Sequence, residues 1–337
     1  MIKSIITGTG HFVPERVVTN DDLSKLMDTN DEWIRERTGI EERRHLGKNS
    51  GVNTSDLGLK AAEMAIKNAG LTAKDIDFII FATLSPDYFF PGCGVLLQKK
   101  LGCDTIGALD VRNQCSGFIY ALSTADAYIR AGIYKNILVV GAENHSFGLD
   151  MSTRGRSVSV IFGDGAGAVV VSASDDEKRG IIATNIHSQG EYAEELAVLF
   201  PGTQYGWADV LSEEDNGLTD KEIYPYMNGN FVFKQAVTRF PESIREAFEK
   251  SGEKIEDLKL FIPHQANLRI SQFVQRQLGL SDDKVFNNIQ KYGNTTAASI
   301  PLALSEAVEQ GRIQKGDLVC MTAFGSGFTW GSVLIRW

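Results

Sequence analysis

The chain repeats itself. Residues Ala62–Phe81 (AEMAIKNAGLTAKDIDFIIF) align without a gap on Ile244–Pro263 (IREAFEKSGEKIEDLKLFIP). Ala65 meets Ala247, Gly70 meets Gly252, Asp75 meets Asp257, and Ile79 and Ile80 meet Phe261 and Ile262. Each copy reads as an amphipathic helix, a glycine stop, a short acidic turn and a buried strand. Two more echoes follow in the same order. ALSTADAYIRAGIYKNILVV (Ala121–Val140) resembles LALSEAVEQGRIQKGDLVCM (Leu302–Met321), and FGDGAGAVVV from Phe162 resembles FGSGFTWGSVLI from Phe324. Three echoes in one order imply a duplicated unit. Strands alternate with helices in both copies, so each half is expected to be an α/β unit around a mixed sheet. The polar stretch SASDDEKRG places the boundary between halves 1–175 and 176–337. It holds no flexible linker, so the halves should pack as one body, with a site where they meet. The sparsely patterned stretch from Gly190 to Gly229 reads as an ordered surface insertion.

Composition narrows the function classes. The 337 residues are 43% hydrophobic and 23% charged, which suits an ordered globular chain. A net charge of −9 counts against a nucleic-acid partner. The apolar run at the start is cut by Gly8, Gly10 and Pro14 and is not a secretory signal. No stretch of about 18 apolar residues suggests a membrane helix. Cys93, Cys103, Cys115 and Cys320 form no C-x-x-C pair, and no histidines have zinc spacing. Four reduced thiols, no metal site and a cytoplasmic protein are expected.

Three polar residues stand where α/β chains place chemistry. Cys115, in DVRNQCSGFIYAL, falls between the apolar run IGALDV and a helical pattern of Phe118, Ile119, Leu122, Ala125 and Ile129. A cysteine at a helix N-terminus is in the environment that stabilises a thiolate, the form an acyl-accepting nucleophile needs. His264 follows an apolar strand in LKLFIPHQAN, and Asn294 precedes a helix in KYGNTTAASIP. A buried structural thiol, a helix-capping histidine and an N-cap asparagine are the everyday roles of these residue types. The run FGDGAG lacks the lysine of a phosphate loop and reads as a tight turn. In FGSGF the glycines let the backbone approach a substrate closely.

Together, DV-x-x-x-CSGF, PHQAN, GNTTAAS-P and FGSGFTWG, with TNDEWIRERTGIEERR (Thr29–Arg44) before them, resemble the β-ketoacyl-[acyl carrier protein] synthase III family over essentially the whole chain. The resemblance implies a duplicated thiolase-like fold: two pseudo-symmetric halves with mixed five-stranded sheets in a layered α-β-α-β-α arrangement. It implies a homodimer that works without a permanently bound cofactor, on an acyl-coenzyme A and a malonyl-acyl carrier protein, away from membranes. Cys115 then resembles the acyl acceptor, and His264 and Asn294 the pair that binds the malonyl thioester. The N–H groups of Cys115 and Ser326 match the oxyanion hole, and Phe324 the aromatic beside the departing carboxylate. Trp33 and an arginine, Arg156 or Arg154, match the adenine sandwich of coenzyme A, with Thr29, Arg37, Gly229 and Asn267 as further contacts. Phe90 and Phe162 match the acyl pocket, Phe90 reaching in from the neighbouring subunit. Lys234 and Arg269 match the carrier-docking positions.

Two departures bear on the substrate. Arg112, Asn113 and Gln114 stand where the family has small residues, and the segment between Pro201 and Met227 is longer than in housekeeping members. An enzyme of specialised metabolism that condenses longer acyl or β-ketoacyl thioesters is therefore the alternative. A papain-like Cys-His-Asn hydrolase shares the residue order, but it leaves the internal repeat unexplained. A non-catalytic partner subunit would have no need of all three polar residues.

Overall fold

The structure, a computed structural model, describes residues 2–47, 49–204 and 220–337, the side chains of the last segment from 222. The first half begins with β1 (Lys3–Phe12). A small pair, β2 (Val17–Thr19) and β3 (Glu42–Arg44), encloses helices α1 (Asn20–Ser24) and α2 (Asp31–Thr38). Then come α3 (Thr54–Asn68), β4 (Phe78–Ala82), α4 (Cys93–Leu101), β5 (Gly107–Val111), α5 (Gly117–Arg130), β6 (Asn136–Glu143) and β7 (Gly165–Ser174). The second half runs β8 (Gly180–Ser188), β9 (Leu196–Ala197), β10 (Tyr226–Met227), α6 (Gly229–Ser251) and β11 (Leu258–Pro263). It ends with α7 (Leu268–Gln277), α8 (Ser299–Glu309), β12 (Leu318–Gly325) and β13 (Thr329–Arg336).

The sheets run β1-β7-β6-β4-β5 and β8-β13-β12-β11, which are the same order once the repeat is applied. Their registers agree as well. Phe78 pairs with Ile137 and Ile80 with Val139 in the first sheet; Leu260 pairs with Val319 and Ile262 with Met321 in the second. Each residue is displaced by the 182 positions that separate Ala65 from Ala247. The two glycine stops, Gly70 and Gly252, take left-handed φ angles of 71° and 74°. A side chain there costs roughly 1–2 kcal/mol, so both helices end at glycine.

One expectation fails. The second sheet has four strands among the described residues, and the counterpart of β5 shrinks to a single parallel bridge between Phe261 and Val285. The backbone N–H groups of Asn288 and Ile289, which follow the bridge, donate to Oε1 of Gln265 at 3.0 and 3.2 Å. That bond turns the chain into a one-turn helix, Ile289–Tyr292, and the ladder stops.

Layering follows from burial. Strand β4 (FIIFA) is buried on both faces, as a central parallel strand must be. Its Ile80 points inward to join Phe118 and Leu122 of α5, Ile300 and Leu304 of α8, and Met321 of the other sheet. Ile79 and Phe81 point outward against Leu57, Ala61 and Ala65 of α3. On the far side, Phe240 and Ile244 of α6 and Val274 of α7 cover Phe261 and Cys320. The result is the α-β-α-β-α arrangement, with α5 and α8 in the middle layer. Each fully buried Ile, Leu or Phe contributes roughly 1.5–3 kcal/mol. Strand β7 ends at Ser174 and β8 begins at Gly180, so a five-residue turn joins the sheets. The long segment noted between Pro201 and Met227 lies mostly outside the described residues. Its base is closed by pairing of Met227 with Leu196 and of Tyr226 with Ala197. No helix among the described residues is long and apolar enough to cross a membrane.

Candidate active site

A cavity of about 470 Å³ opens between the halves, and Cys115, His264, Asn294, Phe324 and Gly325 all line it. Cys115 lies in a single turn, Gln114–Ser116, that feeds α5. Gln114 takes a left-handed φ of 43° to make that turn. The last residue of β12, Gly325, closes over the cysteine. A Cβ on Gly325 would lie 2.6 Å from Cys115 Cβ and 3.3 Å from its Sγ, so only glycine leaves the sulfur in place. Burial pushes the thiol up to about 12, the nearby Glu143 carboxylate adds to the effect, and a backbone hydrogen bond opposes it. The resting group is therefore a thiol, although the helix terminus favours the thiolate. Burial, which raises the thiol, is a contribution that the sequence pattern does not carry.

His264 continues the line of β11. Its backbone N–H donates to Thr322 O at 2.8 Å, which fixes its Cα. Ring Nδ1 lies 2.6 Å from Ser299 Oγ, and Nε2 is buried with no partner. Burial pulls the ring down to about 3, so it is neutral at working pH. Asn294 is stitched to the 161–163 segment, where its N–H donates to Ile161 O and its carbonyl accepts from Gly163 N. The close approach needs glycine: a Cβ on Gly163 would lie 2.2 Å from Tyr292 O. The FGDG run thus anchors the asparagine loop. Oδ1 of Asn294 accepts the N–H of Thr296 at 2.8 Å, which leaves the amide NH₂ as the group free to donate.

Toward the mouth, the cavity is lined by Trp33, Arg37, Gly229, Asn267, Arg269 and, deeper, Phe162. The Trp33 ring has the guanidinium of Arg37 at 4.5 Å and that of Arg156 at 5.4 Å. Arg154 instead pairs with Asp150 at 2.6 Å and reaches the Tyr224 ring. Of the two arginines that the sequence left open, Arg156 is the one beside the Trp33 ring. The expected sandwich is nevertheless shut, because a ring between two stacking groups needs roughly 7 Å.

Models of the family described as 3-oxoacyl-[acyl-carrier-protein] synthase III match residues 109–190, and those of its C-terminal portion match 248–337. A β-ketoacyl-[acyl-carrier-protein] synthase III of Campylobacter jejuni is 45% identical across all of this chain and 98% of its own. One of Brucella suis is 43% identical with full coverage of both. The crystal structure of the Aquifex aeolicus 3-oxoacyl-[acyl-carrier-protein] synthase III superposes with a TM-score of 0.89, at 44% identity, covering 99% of this chain and all of that one. The chain belongs to the β-ketoacyl-[acyl-carrier-protein] synthase III family. Its duplicated fold is that of the family's condensing enzymes, not of a papain-like hydrolase.

Other positions marked by the family motifs lie outside the cavity lining. Thr29 keeps its hydroxyl buried and unpartnered. Ser326 donates its hydroxyl to Leu196 O. Lys234 is exposed on α6. Phe90 is 81% exposed on a surface loop beside exposed Tyr88 and Phe89, far from covering its own chain's pocket.

Two buried polar residues in this synthase III chain escaped the sequence reading. Glu143, at the end of β6, is fully buried. It accepts from Ser85 Oγ at 2.6 Å, Thr83 Oγ1 at 3.0 Å, the N–H groups of Leu84 and Ser85 at 3.2 Å, and Ala297 N at 3.4 Å. Burial raises its carboxyl to about 7 despite these bonds. An acid ending the apolar run ILVVGAE was the available signal. Ser299 lies inside the quoted GNTTAAS-P motif, but nothing in the spacing says that it reaches His264.

Proposed function

We propose that this chain catalyses the decarboxylative condensation that begins a fatty acyl chain, joining an acyl group from acyl-coenzyme A to malonyl-acyl carrier protein. The convergence of Cys115 from one half with His264 and Asn294 from the other on one cavity carries this reading. In the first step the Cys115 sulfur attacks the acyl-coenzyme A carbonyl. The acyl–S bond to coenzyme A breaks, and coenzyme A leaves as its thiol with the proton the cysteine gave up. The N–H groups of Cys115 and Ser326 hold the oxyanion. In the second step the malonyl thioester loses CO₂, and its electron pair becomes an enolate. The neutral Nε2–H of His264 and the amide NH₂ of Asn294 donate to that oxygen, while Phe324 keeps an apolar face on the carboxylate side. The enolate carbon attacks the acyl-cysteine carbonyl, the new C–C bond forms as the acyl–sulfur bond to Cys115 breaks, and the released thiolate takes up a proton from solvent.

Coenzyme A is a substrate here, held at the mouth by Trp33, Arg37, Arg156, Thr29, Gly229 and Asn267. Arg269 and Lys234 offer an otherwise acidic chain (net −9) a basic patch for an acidic carrier protein. The exposed Tyr88–Phe90 loop is the face a second copy covers, and Phe162 with the partner copy's Phe90 bounds a short acyl pocket. Sedimentation equilibrium and the acyl-length profile of Phe90→Ala check this assignment; a monomer, or an unchanged profile, removes it. The main test separates the half-reactions. His264→Ala and Asn294→Ala still gain the mass of an acyl group on Cys115, but release CO₂ from malonyl thioester about 100- to 1,000-fold more slowly. Normal CO₂ release by either variant overturns the assignment.

A further inference from the structure

The role given to His264 requires its proton to sit on Nε2, and a neutral imidazole carries one proton that either nitrogen can hold. The surroundings of the ring decide which. Ser299, the first residue of α8, is 2% exposed, and its Oγ has two partners: His264 Nδ1 at 2.6 Å and the backbone N–H of Gln265 at 3.4 Å. The amide can only donate, so it takes an oxygen lone pair. The hydroxyl hydrogen then has one acceptor within reach among the described residues, the lone pair of Nδ1. If Nδ1 carried the proton instead, both neighbours would donate to Ser299, and its hydroxyl hydrogen would have no acceptor among the described residues, a cost of roughly 1–3 kcal/mol. Nε2, meanwhile, has no protein partner although it is buried, and His264 lines the cavity. Among the described residues, no carboxylate touches the ring to draw its proton to the other side.

We infer that Ser299 is a positioning residue: by donating its hydroxyl hydrogen to Nδ1, it locks His264 as the Nε2–H tautomer and aims a hydrogen-bond donor into the cavity. The assignment rests on the condensation reading, in which that donor meets the malonyl thioester. It also explains how a serine with an everyday place at a helix start takes part in the site. The duplicated half has no counterpart, because 182 positions earlier the matching residue is Gly117. The hydroxyl thus stands only in the half that supplies the histidine.

Full-length protein labelled with ¹⁵N-histidine, studied by long-range ¹H–¹⁵N correlation near pH 7, reads the tautomer directly. The wild type is expected to show His264 with its proton on Nε2. Ser299→Ala is expected to show a mixture, with decarboxylation of malonyl thioester lowered about tenfold and the loss falling there rather than on acyl loading. Ser299→Thr keeps the hydroxyl and restores both the spectrum and the rate. Circular dichroism melts separate these effects from unfolding of Ser299→Ala, and the wild-type spectrum needs no variant at all. An Nδ1–H tautomer in the wild type, or an unchanged tautomer and rate in Ser299→Ala, overturns the inference. Failure of the condensation reading would show separately, as unimpaired decarboxylation by His264→Ala with the tautomer as expected.

Discussion

The two middle-layer helices begin in the same way and end up with different tasks. At the start of α5, Gln114 takes a φ of 43°; at the start of α8, Thr296 takes a φ of 45°, 182 positions later. The residue after each is Cys115 in one half and Ala297 in the other. Each start is met by the tip of a strand from the opposite half: Gly325 of β12 leans on Cys115, and Glu143 of β6 hydrogen-bonds Ala297. Gly325 and Glu143 are also 182 positions apart. Duplication thus made two matching niches. One kept a glycine at the strand tip, which leaves room for sulfur beside a cavity. The other filled that position with a carboxylate that ties down five donors. The unit of invention in this fold is a pair of positions, a helix start and a strand tip, rather than a whole loop.

The most severe way to break the comparison is to give the open niche a side chain. Gly325→Ala places a methyl where Cys115 Cβ stands, at 2.6 Å. Acyl loading, followed by intact mass, is expected to fall at least about 100-fold, because a displacement near 1 Å of a reacting group has that effect. Loading at the wild-type rate would show that the cysteine has slack that the packing denies.

Glu143→Gln probes the closed niche. The amide keeps the shape but leaves some of the five donors without an acceptor, so a destabilisation of about 1–3 kcal/mol is expected in urea melts. It also removes a charge that holds the Cys115 thiol up, so the pH profile of iodoacetamide alkylation should move to lower pH. A profile that stays put would mean that the two niches do not sense one another.

Stability against pH sharpens the same point. His145 and His264 are pulled from 6.5 to about 3 by burial, so between those values the unfolded chain takes up protons that the folded chain refuses. Their share of stability is lost as the pH falls through that window. Glu143, raised from 4.5 to about 7, does the reverse: the folded chain keeps a proton that the unfolded chain has lost, so its contribution declines as pH rises from 4.5 to 7. His45 is pulled down and Asp164 pushed up, each chiefly by burial, so their contributions run against each other. From His145, His264 and Glu143, thermal melts should decline from about pH 6 to pH 5 with a slope near one proton, roughly 1.4 kcal/mol per pH unit. In Glu143→Gln the slope should approach two protons. An unchanged slope would place the Glu143 titration outside this range.

The smallest expected effect is a null. In a Cys115→Ala background, Ala297→Cys puts a thiol on the matching helix start, but under Glu143 and away from the cavity. No acyl adduct should appear by mass spectrometry; an adduct there would make the two niches interchangeable.

Much of this was legible in the residues. Ala65, Gly70 and Ile79 against Ala247, Gly252 and Phe261 disclosed the duplication, because helix periodicity and left-handed stops leave strong local marks. Cys115, His264 and Asn294 stood out beside apolar elements, but it was the family motifs around them, not their placement alone, that set them apart from everyday roles. The missing fifth strand of the second sheet was not legible, because it depends on a side-chain amide, Gln265, reaching the backbone at Asn288 and Ile289. Nor were the burial of the Cys115 thiol, the five donors of Glu143 and the bond from Ser299 to His264, since these rest on contacts across more than thirty residues of sequence. Residues 205–219 remain beyond such a comparison.

The closed stack at the cavity mouth has a consequence for turnover. Arg156 lies 5.4 Å from the Trp33 ring, and its guanidinium also donates to the backbone and the carboxylate of Asp28. Under the proposed function, in which Trp33 stacks the adenine of coenzyme A, that ring is already occupied by the protein's own cation. An arriving adenine would then have to evict that internal competitor, so part of its stacking energy would be offset and binding would be weaker than at an empty cleft. As the nucleotide left, Arg156 would reclaim the indole and hasten its escape. A first product that must depart before the second substrate can enter the same cavity would be served better by such a self-occupied seat than by a tight one.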